Sequence, residues 1–135
     1  MNLDVALDEF LPHPIEDVWQ RLTDVQAISE WLMAAPGFRA EVGVQFRLKT
    51  QHLSPSGWIE ARVLELDPPR RMVWAWAPEP DTAPTTVTFD LAPVAGGTRL
   101  LLTHRGEIDP AIADRLSDGW PGRLTLLRRG LDEPA

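Results

Sequence analysis

The 135-residue chain has no cysteine and no tyrosine, and Lys49 is its only lysine. Without cysteine there can be no disulfide, no thiolate nucleophile and no Cys-ligated zinc. The 13 Lys and Arg residues are outnumbered by 20 Asp and Glu, for a net charge of −7. Nucleic-acid binding needs clustered cations, so nucleic acid is not an expected partner. No apolar run reaches the roughly 18 residues of a membrane-spanning helix, and no membrane insertion is expected. The opening MNLDVALDEF is acidic where a secretion signal needs a basic start and an apolar run, so a cytoplasmic location is expected. The three histidines, His13, His52 and His104, lie on separate elements without metal-ligand spacing. No metal and no other cofactor is expected.

What is present is period and turn chemistry. The length suits one domain over residues 1–135. Leu3, Val5 and Leu7 alternate with Asp4 and Asp8, which predicts a half-buried strand over Asn2 to Glu9. His13-Pro14 then opens a helix whose apolar stripe is Ile15, Val18, Trp19 and Leu22. A second, shorter helix follows, with Val25, Ile28, Trp31 and Leu32 on one face, and Ala34-Ala35-Pro36-Gly37 breaks it.

From Phe38 the period changes from 3.6 to 2. Alternating runs centre on Phe46 and Leu48, on Ile59, Ala61 and Val63, on Met72, Trp74 and Trp76, on Val87, Phe89 and Leu91, and on Leu100, Leu102 and His104. The turns between them are Ser54-Pro55-Ser56-Gly57, Asp67-Pro68-Pro69, a Pro-rich loop from Pro78 to Pro84, and Gly96-Gly97. One apolar and one polar face in most runs predicts an antiparallel sheet with one wet side. Near the C-terminus, Pro110 opens a short helix. Because proline is excluded from helix interiors, the main helix is predicted to begin near Asp118, with Pro121 in its first turn. Trp120, Leu124, Leu127 and Leu131 form its apolar face.

The pieces HPIEDVWQRLTD (13–24), EW (30–31), EVGVQFRLKT (41–50), LELDPPRRMVWAW (64–76), GGTRLLLTHRG (96–106) and GWPGRLTLL (119–127) occur in the order found in the SRPBCC, or START-like, superfamily. The chain resembles that superfamily over nearly its whole length, and within it the branch similar to the activator of the heat-shock protein 90 ATPase. The resemblance implies an α+β helix-grip fold. A curved antiparallel sheet of six to seven strands wraps a long C-terminal helix, and two short helices follow the first strand. It also implies three activities: binding an apolar or amphipathic small molecule in an internal cavity, a cyclase- or hydratase-like reaction in that cavity, or contact with a chaperone as an ATPase activator. The family usually has a paired glycine at Val42-Gly43-Val44 and a glycine near Ala61. The larger residues here are expected to narrow the pocket.

Trp31, Phe46, Trp74, Trp76, Phe89, Leu102, His104, Trp120 and Leu124 are the candidate ligand-binding residues, being apolar plates and one titratable group assigned to the inward face. For each, ordinary core packing is the alternative. His104 is the one inward polar group, either as an anchor or as an acid/base. No second group pairs with it, so no catalytic set is assigned and binding is favoured over catalysis. Trp58 shares the polar face with Glu60 and Arg62. A monomer or weak homodimer is expected, with Trp58 as the exposed aromatic contact.

Overall fold

The computed structural model describes residues 2–78 and 83–133. The elements are β1 (Asn2–Leu11), α1 (Ile15–Thr23), α2 (Val25–Trp31), β2 (Gln45–Lys49), β3 (Trp58–Asp67), β4 (Arg71–Ala77), β5 (Thr85–Val94), β6 (Gly97–Glu107) and α3 (Pro110–Asp132). The six strands form one antiparallel sheet in the order β1-β6-β5-β4-β3-β2. This is the helix-grip arrangement, with six strands rather than seven among the described residues. Residues 38–44 form turns instead of an additional strand. Residues 79–82 of the Pro-rich loop lie outside the described part.

Alternation sets which side each strand buries. In β2 the pattern is exposed, buried, exposed, buried, exposed, so Phe46 and Leu48 face inward. In β6 the inward residues are Thr98, Leu100, Leu102 and His104. β3 slips register between Val63 and Glu65, leaving Leu64 as an extra, exposed residue. A bulge of this kind bends its strand and increases the local twist, so the sheet curves there. Between β5 and β6 the chain turns through Gly96 at φ +81°. A Cβ on Gly97 would lie far inside van der Waals contact with the Leu11 carbonyl oxygen, so only glycine lets the end of β1 come so close.

The helices cover the concave side. Val18 and Leu22 of α1, and Ala27, Ile28 and Trp31 of α2, are buried. Val25 is not. It is exposed at the start of α2, and Ala27 completes the buried face instead. The two helices are tied to each other and to α3. Trp31 Nε1 donates to the Arg21 carbonyl at 2.9 Å, and Arg21 Nη2 donates to the Gly130 carbonyl at 2.8 Å.

The C-terminal segment departs from expectation. It is one helix from Pro110 to Asp132, with Pro121 in its interior. Asp109 caps it, accepting the Ala111 N–H at 2.9 Å, and Pro110 occupies the first turn. Pro121 is tolerated because it lies on the exposed face together with Ser117 and Gly122. The carbonyl that loses its helical donor there can bond water instead. The longer helix buries Ala113, Leu116, Trp120, Leu124 and Leu127 along one stripe, in the same core as Ile59, Val63, Phe89 and Leu102.

Candidate functional site

The aromatic residues of the concave face fall into two groups. In the first, Phe38, Phe46, Trp74, Phe89 and Trp31 stack edge-to-face, with centroid distances from 4.9 Å for Trp74–Phe89 to 6.2 Å for Trp31–Phe89. Four of the nine expected site residues, Trp31, Phe46, Trp74 and Phe89, are here. All four are buried, and with Leu102 and Leu124 they belong to the continuous core.

The second group is Trp76, His104 and Trp120. The Trp76 ring is 5.0 Å from His104 and 5.8 Å from Trp120. Trp120 Nε1 donates to His104 Nδ1 at 3.1 Å, and Thr85 Oγ1 is 2.7 Å from His104 Nε2. An indole nitrogen can only donate, so Nδ1 is the acceptor and the proton of the neutral ring sits on Nε2. His104 Nε2–H therefore donates to Thr85 Oγ1, whose own hydrogen goes to the Trp76 carbonyl at 3.1 Å. This chain of bonds joins α3, β6, β5 and β4. His104 is fully buried, and that burial pushes its pKa down to about 3. The imidazole is neutral at pH 7, and both of its nitrogens are occupied by the protein.

Beside this second group the molecule opens. A cleft of about 670 Å³ lies between the residues that follow α2, the β2–β3 connection and α3. Trp76 and Trp120 line its deep side, with Leu32, Met33, Leu53 and Leu116 around them. Its rim is polar, with Thr50, Gln51, His52, Arg115, Asp118 and Arg123. Of the nine expected site residues, Trp76 and Trp120 border this cleft. The other seven are in the core behind it. The Trp76 indole N–H is buried and has no hydrogen-bond partner among the described residues. The Trp74 indole N–H in the closed group is in the same state.

A family model for activator of Hsp90 ATPase homolog 1-like proteins matches residues 12–132. The chain belongs to this family. Solved structures agree on the fold. A protein of Mesorhizobium loti is 27% identical over 96% of both chains, with a TM-score of 0.79. One of Chromobacterium violaceum is 22% identical, covering 98% of this chain and 99% of that one, with a TM-score of 0.82. CalU16 of Micromonospora echinospora is 22% identical over 96% of this chain and 76% of its own, at a TM-score of 0.78. All share the helix-grip architecture of the SRPBCC superfamily. No curated protein matches the chain.

The two departures from the family pattern have different outcomes in this Hsp90-activator-like chain. Val42 is 63% exposed and adds no bulk to the concave side, correcting the expectation there, whereas Val44 is half-buried and packs against the core. Ala61 is buried and pairs across the strands with Phe46 and Trp76, so its methyl does occupy the interior. Sequence reasoning did not find the rim. Arg115, Gly119 and Arg123 are spaced i, i+4, i+8, a stripe on α3 that could have been read beside the Trp120 face. Thr85 carried no such signal, because it meets His104 only through the register of β5 and β6, in which Val87 faces His104.

Proposed function

We propose that this protein binds a small amphipathic molecule in the cleft beside Trp76 and Trp120. One observation carries the reading. The aromatic residues at one end of the concave face close on each other, whereas those at the other end border an opening. Its volume of about 670 Å³ falls in the usual range for small-molecule sites, and its deep side is apolar with a few polar groups. His104 holds the Trp120 indole from behind, which fixes the orientation of one wall. A neutral histidine with both nitrogens engaged is a positioning group rather than a proton carrier, so the reading is of binding, not acid–base chemistry.

Gly119 provides the test. It lines the cleft, and a Cβ built there meets nothing within 4 Å. Gly119→Phe should fill the opening without disturbing the core. Natively purified wild-type protein is expected to carry a small molecule detectable by mass spectrometry, and the variant to lack it. The bound molecule should also raise wild-type stability, by about 2.7 kcal/mol at a free concentration 100 times its dissociation constant. A folded Gly119→Phe protein that still carries the same molecule would mean that the cleft is not the site.

A further inference from the structure

The arginines of the outer sheet face and those of the cleft have different partners. Arg47 pairs with Glu60, Arg71 with Asp90, Arg99 with Asp8 and Arg105 with Asp4. Each of these four is matched by a carboxylate on a neighbouring strand, whereas Arg62 on the same face has no ion pair among the described residues. In the cleft, Arg115 Nη1 donates to the His52 carbonyl at 2.6 Å, and Arg123 Nη1 donates to the Leu32 carbonyl at 2.6 Å. Both bonds reach from α3 to the opposite wall. Among the described residues no carboxylate is in ion-pair range of either guanidinium. A carbonyl carries only a partial charge, so both arginines keep their full charge and further N–H donors.

Among the described residues, Asp118 is the one acid lining the cleft. Lys49 lies at the rim, but its ammonium is beside Trp58, 6.0 Å from the ring centroid. Arg115, Arg123 and Lys49 against Asp118 leave two net positive charges, in a protein whose total is −7. Next to buried Trp76, Trp120 and Leu116, that charge is less screened than it would be in open water.

We infer that the cleft selects an apolar or aromatic molecule bearing a carboxylate, and that Arg115 and Arg123 make the selection. The inference rests on the cleft being the binding site, as proposed above. A carboxylate is a stronger acceptor for a guanidinium than a backbone carbonyl is, so it can take either arginine from its present partner.

Three probes of one shape separate the possibilities by calorimetry: 2-naphthoate, the neutral 2-naphthamide and the cationic 2-naphthylmethylamine. Naphthoate should bind at least about tenfold more tightly than the amide, and the amine most weakly. The acid's advantage should shrink between about 0.02 M and 0.5 M salt, as screening grows. In the double variant Arg115→Gln, Arg123→Gln the advantage should disappear, with amide affinity within about twofold of wild type. Equal binding of acid and amide, both abolished by Gly119→Phe, would overturn the charge selection and leave the cleft as the site. An acid preference that survives the double variant would overturn the assignment to these arginines. Should the double variant fail to fold, the wild-type salt series decides, and an undiminished preference counts against the inference. If none of the three binds wild type, the inference and the reading of the cleft both fail.

Discussion

Trp74 and Trp76 are two residues apart on the same strand and face the same side, yet their surroundings differ. Trp74 sits among Phe38, Phe46 and Phe89, with every neighbouring ring within 5.8 Å. Trp76 sits beside His104 and Trp120 and borders the cleft. Both are fully buried. What separates them is therefore not burial but what their neighbours leave unfilled. The closed group is held mainly by ring packing, with one hydrogen bond at its edge, from Trp31 to the Arg21 carbonyl. The open group is held by directed hydrogen bonds through His104 and Thr85. Packing fills space, whereas a hydrogen-bonded wall can stand beside a gap. The helix-grip fold of this family member uses one device at each end of its concave face.

The largest contrast should come from deleting a ring in the closed group. Trp74→Ala should lose about 3–5 kcal/mol in urea unfolding, the usual range for emptying a large aromatic site in a core. A loss below about 1 kcal/mol would mean that the closed group is not a packed core.

A smaller effect, found only in the open group, depends on pH. His104 titrates at its ordinary 6.5 in the unfolded chain and at about 3 in the folded one. Below pH 6.5 the unfolded chain therefore takes up a proton that the folded chain refuses. The contribution of His104 is complete above pH 6.5 and is lost as the pH falls toward 3. Between pH 6.5 and about 4.5 the loss should be roughly 2 kcal/mol. Urea midpoints of wild type and His104→Leu across that range isolate it from the carboxylates, since only wild type has this component. Trp120→Phe keeps a ring but vacates His104 Nδ1, so it should cost about 1 kcal/mol at pH 7 and make the acid loss shallower. Identical pH slopes in all three proteins would refute the assignment of the bonds.

The smallest effects belong to the outer face. Arg99→Ala and Arg105→Ala each break an exposed cross-strand pair and should leave the urea midpoint nearly unchanged. Trp58 is half-buried rather than bare, with the Arg47 guanidinium 4.6 Å from its ring centroid. Trp58→Ser should likewise cost about 1 kcal/mol or less. If light scattering finds a stable dimer, the same substitution reads out whether Trp58 lies in it.

Much of the fold was written locally. Alternation along β2, β5 and β6 named the inward residues, because side chains in a strand alternate faces whatever lies opposite. The Trp120, Leu124, Leu127 stripe named the buried face of α3 for the corresponding reason at helical period. The same local reading failed at Pro121. Whether a helix tolerates an interior proline depends on whether the freed carbonyl faces water, and that is decided by which side of α3 the rest of the protein covers.

The sequence by itself therefore determined most of the elements and their faces, since these follow from short-range period and turn chemistry, while the helix-grip architecture was implied by the resemblance of six pieces in order to the superfamily. It also placed His104 and four tryptophans on the inward side. Only the tertiary structure decided that Trp74 is walled in while Trp76 and Trp120 border a cleft. It alone gave His104 its partners, Thr85 and Trp120, which are 19 and 16 residues away along the chain. It alone set the arginines of α3 against carbonyls rather than carboxylates. These outcomes depend on strand register, on the bend at the β3 bulge and on the seating of one long helix. Each is a property of distant segments meeting, which no local pattern encodes.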